Sequence, residues 1–175
     1  MDTFYTDMKF CRRCAAVLQH KGGSVYVCAK GHTLFLNASP ATGMVLFKEG
    51  KVLMLRRAIE PGKGMLDIPG GFCDGPETLE AAIARELEEE VGLTANDYTD
   101  MQFLQSGLDP YAYGNEVLPV LAVVFTAKMA SNKQLAAADD AASVEWVALD
   151  QINLNDVHFP AVRAALERLQ SDHKP

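Results

Sequence analysis

The chain has 175 residues, 49% hydrophobic and 22% charged, with a formal net charge of −7 at pH 7. Such a composition supports a sizeable packed core and excludes global disorder. The acidic balance argues against a generic nucleic-acid binder, so no DNA partner is expected, yet it leaves an anionic small substrate open because local cations reverse a local field. No apolar run approaches the ~18 residues of a membrane span, so no membrane partner is expected. The opening "MDTFYTDMKF" lacks a basic segment followed by an apolar stretch, so it does not read as a secretory signal. A cytoplasmic location follows as the expectation, and the four cysteines read first as thiols or metal ligands.

Residues 1–37 stand apart as a turn-rich module with too little apolar content to fold alone. "CRRC" is a C-x2-C pair, Cys11 and Cys14, and "CAKGH" adds Cys28 and His32. Three cysteines and a histidine are a usual closed, tetrahedral, structural zinc set, and such a metal would replace the core the segment lacks; unrelated buried thiols are the alternative. A redox reading of C-x2-C has no βαβ context to support it.

From Thr42 the pattern is denser. "MVLFKEGKVLMLRR" (44–57) reads as a β-hairpin with Gly50 in its turn. A Gly- and Pro-marked loop follows, then a helix from about Pro76 to Val91, with Asp74 as N-cap and Gly92 as the left-handed stop. Residues 101–107 and 116–129 read as strands joined by the loop "LDPYAYGN", and 142–149 as a late strand. "FPAVRAALERLQ" (159–170) reads as a helix with Val162, Ala165, Leu166 and Leu169 on one face. The organisation is a module over 1–37, one mixed α/β domain over 38–170 and a tail over 171–175.

The first helix raises an electrostatic question. "GGFCDGPETLEAAIARELEEEVGL" (70–93) holds six glutamates and one arginine. At ~100° per residue, Leu79, Ala82, Ile83, Leu87 and Val91 share an apolar side, and Glu90 projects into that stripe. Glu86 and Glu90 are an i,i+4 pair, which costs roughly 0.2–0.5 kcal/mol, and anions near a helix C-terminus cost ~0.3–1 kcal/mol each. A solvated acidic face explains many Glu-rich helices, but Glu90 is on the wrong side for it. The missing partner is most simply a hard divalent cation, which prefers carboxylate oxygens.

The same stretch resembles the Nudix box: Gly71 and Glu77, then Arg85, Glu86, Leu87, Glu89, Glu90, Gly92 and Leu93, all in register. The resemblance implies a mixed sheet sandwiched between helices, with the box as loop–helix–loop. It implies Mg2+ (or Mn2+)-dependent hydrolysis of a nucleoside diphosphate linked to another moiety. Glu86, Glu89 and Glu90 become the metal ligands, with the Gly71 carbonyl beside them. Arg85 supports that cluster, with Glu77 as its partner. Glu89 could also take the proton of the attacking water, and outside the box Glu116 and Glu145 are further candidates for that base. Arg56, Arg57 and Lys63 could hold phosphate oxygens. A homodimer is the family-level expectation.

The first 37 residues resemble the zinc ribbon that precedes the domain in the NADH pyrophosphatase branch, with Gly31 where a fourth cysteine is expected and His32 after it. That branch's S-Q-P-W-P-F-P-like motif is absent. In its region stand Pro110, Tyr111 and Tyr113, where a tyrosine could stack on a base. The preferred substrate class is therefore an ADP-linked compound (ADP-ribose, or an NADH- or FAD-like dinucleotide). The alternatives are a nucleoside triphosphate pyrophosphohydrolase and a non-catalytic nucleotide-sensing or RNA-binding module. Cys73 reads as a small filler, and His20, His158 and His173 receive no role.

Overall fold

A computed structural model describes residues 8–172. The first seven residues of the N-terminal module, and His173 with the rest of the expected tail beyond 172, lie outside the described residues.

The N-terminal module is a small antiparallel sheet, β1 (Leu18–Gly22), β2 (Val25–Cys28) and β3 (Thr33–Phe35), in that order. Its core is only Cys11, Leu18, Tyr26 and Cys28, with a few half-buried neighbours. So small a core agrees with the low apolar content of this stretch of the sequence.

The second sheet has the order β10 (Ala141–Ala148), β5 (Lys51–Arg57), β4 (Ser39–Lys48), β9 (Glu116–Met129), β8 (Tyr98–Tyr113). Two short strands, β6 (Leu66–Asp67) and β7 (Gly70–Phe72), pair with β5 and β4. β4 and β9 run parallel and the other strand pairs of this sheet are antiparallel, so the sheet is mixed. The β4–β5 hairpin turns through Glu49 and Gly50, both at positive φ, the two-residue geometry that suits strand twist.

Alternation along the strands sends side chains to two cores. Met44, Leu46, Leu53, Leu55, Val123 and Phe125 meet helix α1 (Leu79–Val91) through Ile83, Leu87 and Val91. Val45, Val52, Met54 and Val124 meet helix α2 (Pro160–Asp172) through Val162, Ala165, Leu166 and Leu169. The result is the expected helix–sheet–helix sandwich, with the apolar face of α2 as read from sequence.

Three elements differ from expectation. Helix α1 starts at Leu79, capped by Thr78 Oγ1 accepting from Ala81 N at 3.2 Å, and not by Asp74. Asp74 and Glu77 instead close a turn on each other, Asp74 N to Glu77 Oε1 at 2.6 Å. The stretch read as the loop "LDPYAYGN" is strand, because β8 and β9 form one long hairpin paired from Tyr98↔Met129 to Tyr113↔Glu116. Pro110 is tolerated there because β8 is an edge strand, and Pro119 lies one residue beyond the last β4–β9 pair at Val120. Helix α2 also runs two residues past the expected end, through Asp172.

Thr78→Ala should lower stability by about 1 kcal/mol, or ~2–4 °C in Tm. Asp74→Ala should leave Tm close to wild type. Thermal denaturation of both variants checks this, and the opposite ranking would restore Asp74 as the cap.

Candidate active site

The C-terminal half of α1 faces β7 and the start of β4. Two glycines permit this approach. A Cβ on Gly70, which sits at φ +152°, would lie 2.1 Å from the Thr42 carbonyl oxygen. A Cβ on Gly71 would lie 2.5 Å from Glu86 Oε1. Side chains at either position would push β7 off β4 or off the glutamates.

Glu90 is the buried member of the acidic set, 7% exposed, as its place in the apolar stripe requires. Gly70 N donates to its Oε2 at 2.9 Å. Burial pushes its carboxyl up to about 8, against the opposing effect of that hydrogen bond. Glu86 is half-enclosed and also raised by burial.

Arg85 gathers the rest. Its Nη2 donates to Glu77 Oε1 at 2.7 Å and to the Phe72 carbonyl at 2.9 Å. Its Nη1 donates to Glu86 Oε1 at 2.8 Å and Glu89 Oε2 at 2.9 Å. The hydrogen bond from Arg85 holds Glu77 below the usual carboxylate range. One cation thus restrains three carboxylates.

A cavity of about 390 Å³ opens beside this cluster. Its acidic wall is Glu86, Glu89 and Glu90, with Asp139 and Asp140 from the loop before β10. That loop is tied to the helix, with Ala138 N donating to the Glu90 carbonyl at 2.9 Å. Its other wall is aromatic: Tyr111 lies edge-on to Phe72 at 5.0 Å and near-parallel to Phe159 at 5.9 Å. Arg57 lies over the Phe159 ring at 4.8 Å and pairs with Asp67 at 2.9 Å. Burial raises Asp67 to about 6 despite that arginine. Asp109, also buried, accepts from Ala161 N at 2.9 Å and so caps α2 from the neighbouring strand.

Of the residues singled out from sequence, the cavity collects Gly71, Arg85, Glu86, Glu89, Glu90, Arg57 and Tyr111, and Glu77 stands behind Arg85. Arg56, Lys63 and Tyr113 do not line it. Neighbours on a strand point to opposite faces, so Arg56 leaves Arg57 and pairs with Glu145 at 3.2 Å. Lys63 is exposed in a turn closed by Glu60, and Tyr113 is 70% exposed at the hairpin tip. Glu145, held by Arg56, and Glu116, beside that tip, are likewise absent from the lining. Missed from sequence were Asp139, Asp140, Asp67, Asp109, Phe72 and Phe159. None sits in a spaced motif; strand pairing and loop closure bring them together.

The donor set fits a hard divalent cation. Three carboxylates, the Gly71 backbone and a buried Thr42 hydroxyl with no hydrogen-bond partner border the same space. An unpaired buried hydroxyl costs ~1–3 kcal/mol unless something in the site answers it.

In the N-terminal module, ligand atoms of Cys11, Cys14, Cys28 and His32 lie within 4.8 Å of one another. Cys14 Sγ and Cys28 Sγ are 3.8 Å apart, and Cys11 Sγ and His32 Nδ1 3.6 Å. Gly31 turns the chain at φ +78°, which carries His32 to the fourth corner. The Arg13 amide, donating to Cys11 Sγ, is the largest influence bringing that thiol down to about 6.

Fold and box together define a class, and comparison with known proteins agrees. The NUDIX domain matches residues 38–169, and the chain belongs to the Nudix family of hydrolases. It is 31% identical to the ADP-ribose pyrophosphatase of Methanocaldococcus jannaschii over 124 residues, 70% of this chain and 69% of that protein. It is 34% identical to the NAD-capped RNA hydrolase NudC of Chromobacterium violaceum over 92 residues, 51% of this chain but only 34% of that protein. Among solved structures, a NUDIX hydrolase from Nitrosomonas europaea shares the fold at TM-score 0.69 and 24% identity, covering 95% of this chain and 92% of that one.

The raised Glu90 sets a pH dependence. The folded chain holds this proton more tightly than the unfolded chain, whose value is near 4.5. Its stabilising contribution is therefore complete below about 4.5 and lost as pH rises through about 8. In chelator, Tm should fall between pH 5 and 8. Glu90→Gln should flatten that fall and raise Tm at pH 8 by at least ~2–4 °C, the equivalent of ~1 kcal/mol. Parallel pH–Tm curves for the two proteins would count against it.

Proposed function

We propose that the chain hydrolyses the pyrophosphate bond of an ADP-linked compound, ADP-ribose or an NADH- or FAD-like dinucleotide, and releases a nucleoside monophosphate. The observation that carries this reading is one cavity with an acidic wall on one side and Phe72, Tyr111 and Phe159 on the other. Its volume suits a nucleoside-sized ligand. The aromatic wall takes the base, and Arg57 at its foot takes phosphate oxygens.

Glu86, Glu89 and Glu90 would hold Mg2+ (or Mn2+), with the Gly71 carbonyl. When bound, the ion neutralises the pyrophosphate oxygens and acidifies water. Arg85 keeps Glu86 and Glu89 turned to the cavity and balances their charge. Glu90, fixed by the Gly70 amide, is the rigid point of the set. The proton of the attacking water goes to an open carboxylate, Glu89 or one of the Asp139–Asp140 pair.

The module over 1–37 is a structural ribbon. Tetrahedral zinc with sulfur ligands at ~2.3 Å sets those ligands ~3.8 Å apart, the spacing of the Cys14 and Cys28 sulfurs. Residues 38–170 are the catalytic domain. Its setting is cytoplasmic and its state a homodimer. A panel of nucleotides with and without Mg2+ tests the whole reading. Activity confined to triphosphates would replace it with pool cleaning, and binding without phosphate release would make the domain a sensor.

Glu89→Gln should lower kcat on the preferred substrate by on the order of 10²-fold or more, with KM little changed. Of Asp139→Asn and Asp140→Asn, loss of the acidic limb of the kcat–pH profile in one alone identifies that residue as the base. Freshly purified protein should carry one zinc per chain by metal analysis, and Cys28→Ser should lose it.

A further inference from the structure

Packing does not explain Thr42. The residue lies near the start of β4, is 5% exposed, and its Oγ1 has no hydrogen-bond partner. Its next neighbour on the same face of β4 is Met44, and its partner on β9 is Val123, both members of the α1 core. Valine has the shape of threonine without the hydroxyl, so burial among such neighbours favours valine. The hydroxyl therefore weakens the fold unless it serves something in the cavity it borders.

Strand geometry fixes the direction of this side chain. Met44 and Leu46 belong to the α1 core and Val45 to the α2 core, so alternation turns Thr42 toward α1, the side of the glutamates. In the β4–β7 pair Thr42 stands opposite Gly71. Opposed residues send their side chains to the same face, with Cβ atoms ~4.5–5.5 Å apart. A Cβ on Gly71 would lie 2.5 Å from Glu86 Oε1. The Thr42 Cβ is therefore no more than about 8 Å from that oxygen.

Thr42 and Glu86 thus border one cavity from the same side without a hydrogen bond between them. A divalent ion ~2.1 Å from a carboxylate oxygen, carrying a water that hydrogen-bonds at ~2.8 Å, spans a gap of this size. Mg2+ sheds its waters reluctantly and keeps several when carboxylates hold it. The carboxylates of the wall can take a proton from such a water. A hydroxyl accepts a hydrogen bond from it and leaves the proton in place.

We propose that Thr42 is a positioning residue for the cation: its hydroxyl holds a water of the ion's shell, and so strengthens ion binding while weakening the ion-free fold. This rests on the reading of Glu86, Glu89 and Glu90 as the metal set and adds to it a neutral group from outside the box. The water answers the buried hydroxyl, and the hydroxyl fixes the water. Groups of this kind, which touch a metal's ligands and not the metal, commonly govern its affinity.

The test compares wild type with Thr42→Val, Thr42→Ala and Thr42→Ser in the full chain, freed of loosely held divalent ions on a chelating resin. Ion binding is read from the electron paramagnetic resonance of added Mn2+, without substrate. Thr42→Val should weaken Mn2+ binding by about tenfold or more. Thr42→Ala should do the same, and decides the matter if the valine variant does not fold. Thr42→Ser keeps the hydroxyl and should bind Mn2+ much as wild type does. In ion-free protein Thr42→Val should raise Tm by ~2–4 °C, because the unpaired hydroxyl is gone. Saturating Mn2+ should cancel that gain, since the wild type draws more stability from the ion. Wild-type Mn2+ affinity in the valine and alanine variants overturns the proposal, and a raised KM alongside it would assign the hydroxyl to a substrate phosphate. A lower Tm of the ion-free valine variant overturns it too, because the hydroxyl would then have a structural partner. Wild type that binds no Mn2+ removes the metal reading itself, whereas wild type that binds it as well as the valine variant removes only the role of Thr42.

Discussion

The acidic wall of the cavity depends on the guanidinium of Arg85. Without it, Glu86 and Glu89 would repel one another at the mouth of the cavity, and Glu77 would repel them from behind. With it, all three are hydrogen-bonded between 2.7 and 2.9 Å to a single group that also grips the Phe72 carbonyl. The arginine therefore fixes two things together: the direction of the carboxylates and the seat of β7 against α1. A lysine would keep the charge but lose the planar fork that meets several acceptors in fixed directions. Glu90 depends on a different device, a backbone amide in a place where only glycine fits.

This division separates what the sequence discloses from what it hides. Glu90 was legible because helical periodicity is strict over thirteen residues and an acid inside an apolar stripe contradicts it. The buried face of α2 was legible for the same reason, the Gly92 stop as a local cap signal, and the box residues by their resemblance to the Nudix motif. The gathering of Cys11, Cys14, Cys28 and His32 was legible by spacing, although the left-handed turn at Gly31 that brings in His32 leaves only a glycine as its trace.

What failed depends on partners distant in sequence. Pro110 and the neighbouring tyrosines imitate a loop because propensity is local, while strand pairing with Val117–Leu121 is not. Asp74 looked like the cap because it stands shortly before a proline, but it closes a turn with Glu77, and the helix starts after Thr78. Asp139 and Asp140 carry no pattern at all. They reach the site because Ala138 is tied to the Glu90 carbonyl. Phe159 meets Tyr111 at the start of α2, which Asp109 of the neighbouring strand caps.

The parallel pairing of β4 with β9 has a consequence for the order in which the protein is assembled. Ser39 meets Val120 and Phe47 meets Lys128, strands separated by most of the domain. Closing so long a loop is entropically slow, and contacts of this kind delay folding. Ala41 and Gly43 on one strand and Val120, Ala122 and Val124 on the other are walls of the same cavity. A nascent chain that has emerged only as far as α1 already owns every glutamate of the box, yet has nowhere to put a substrate. Its acidic helix stays chemically idle until the second half of the domain has been made and laid alongside the first.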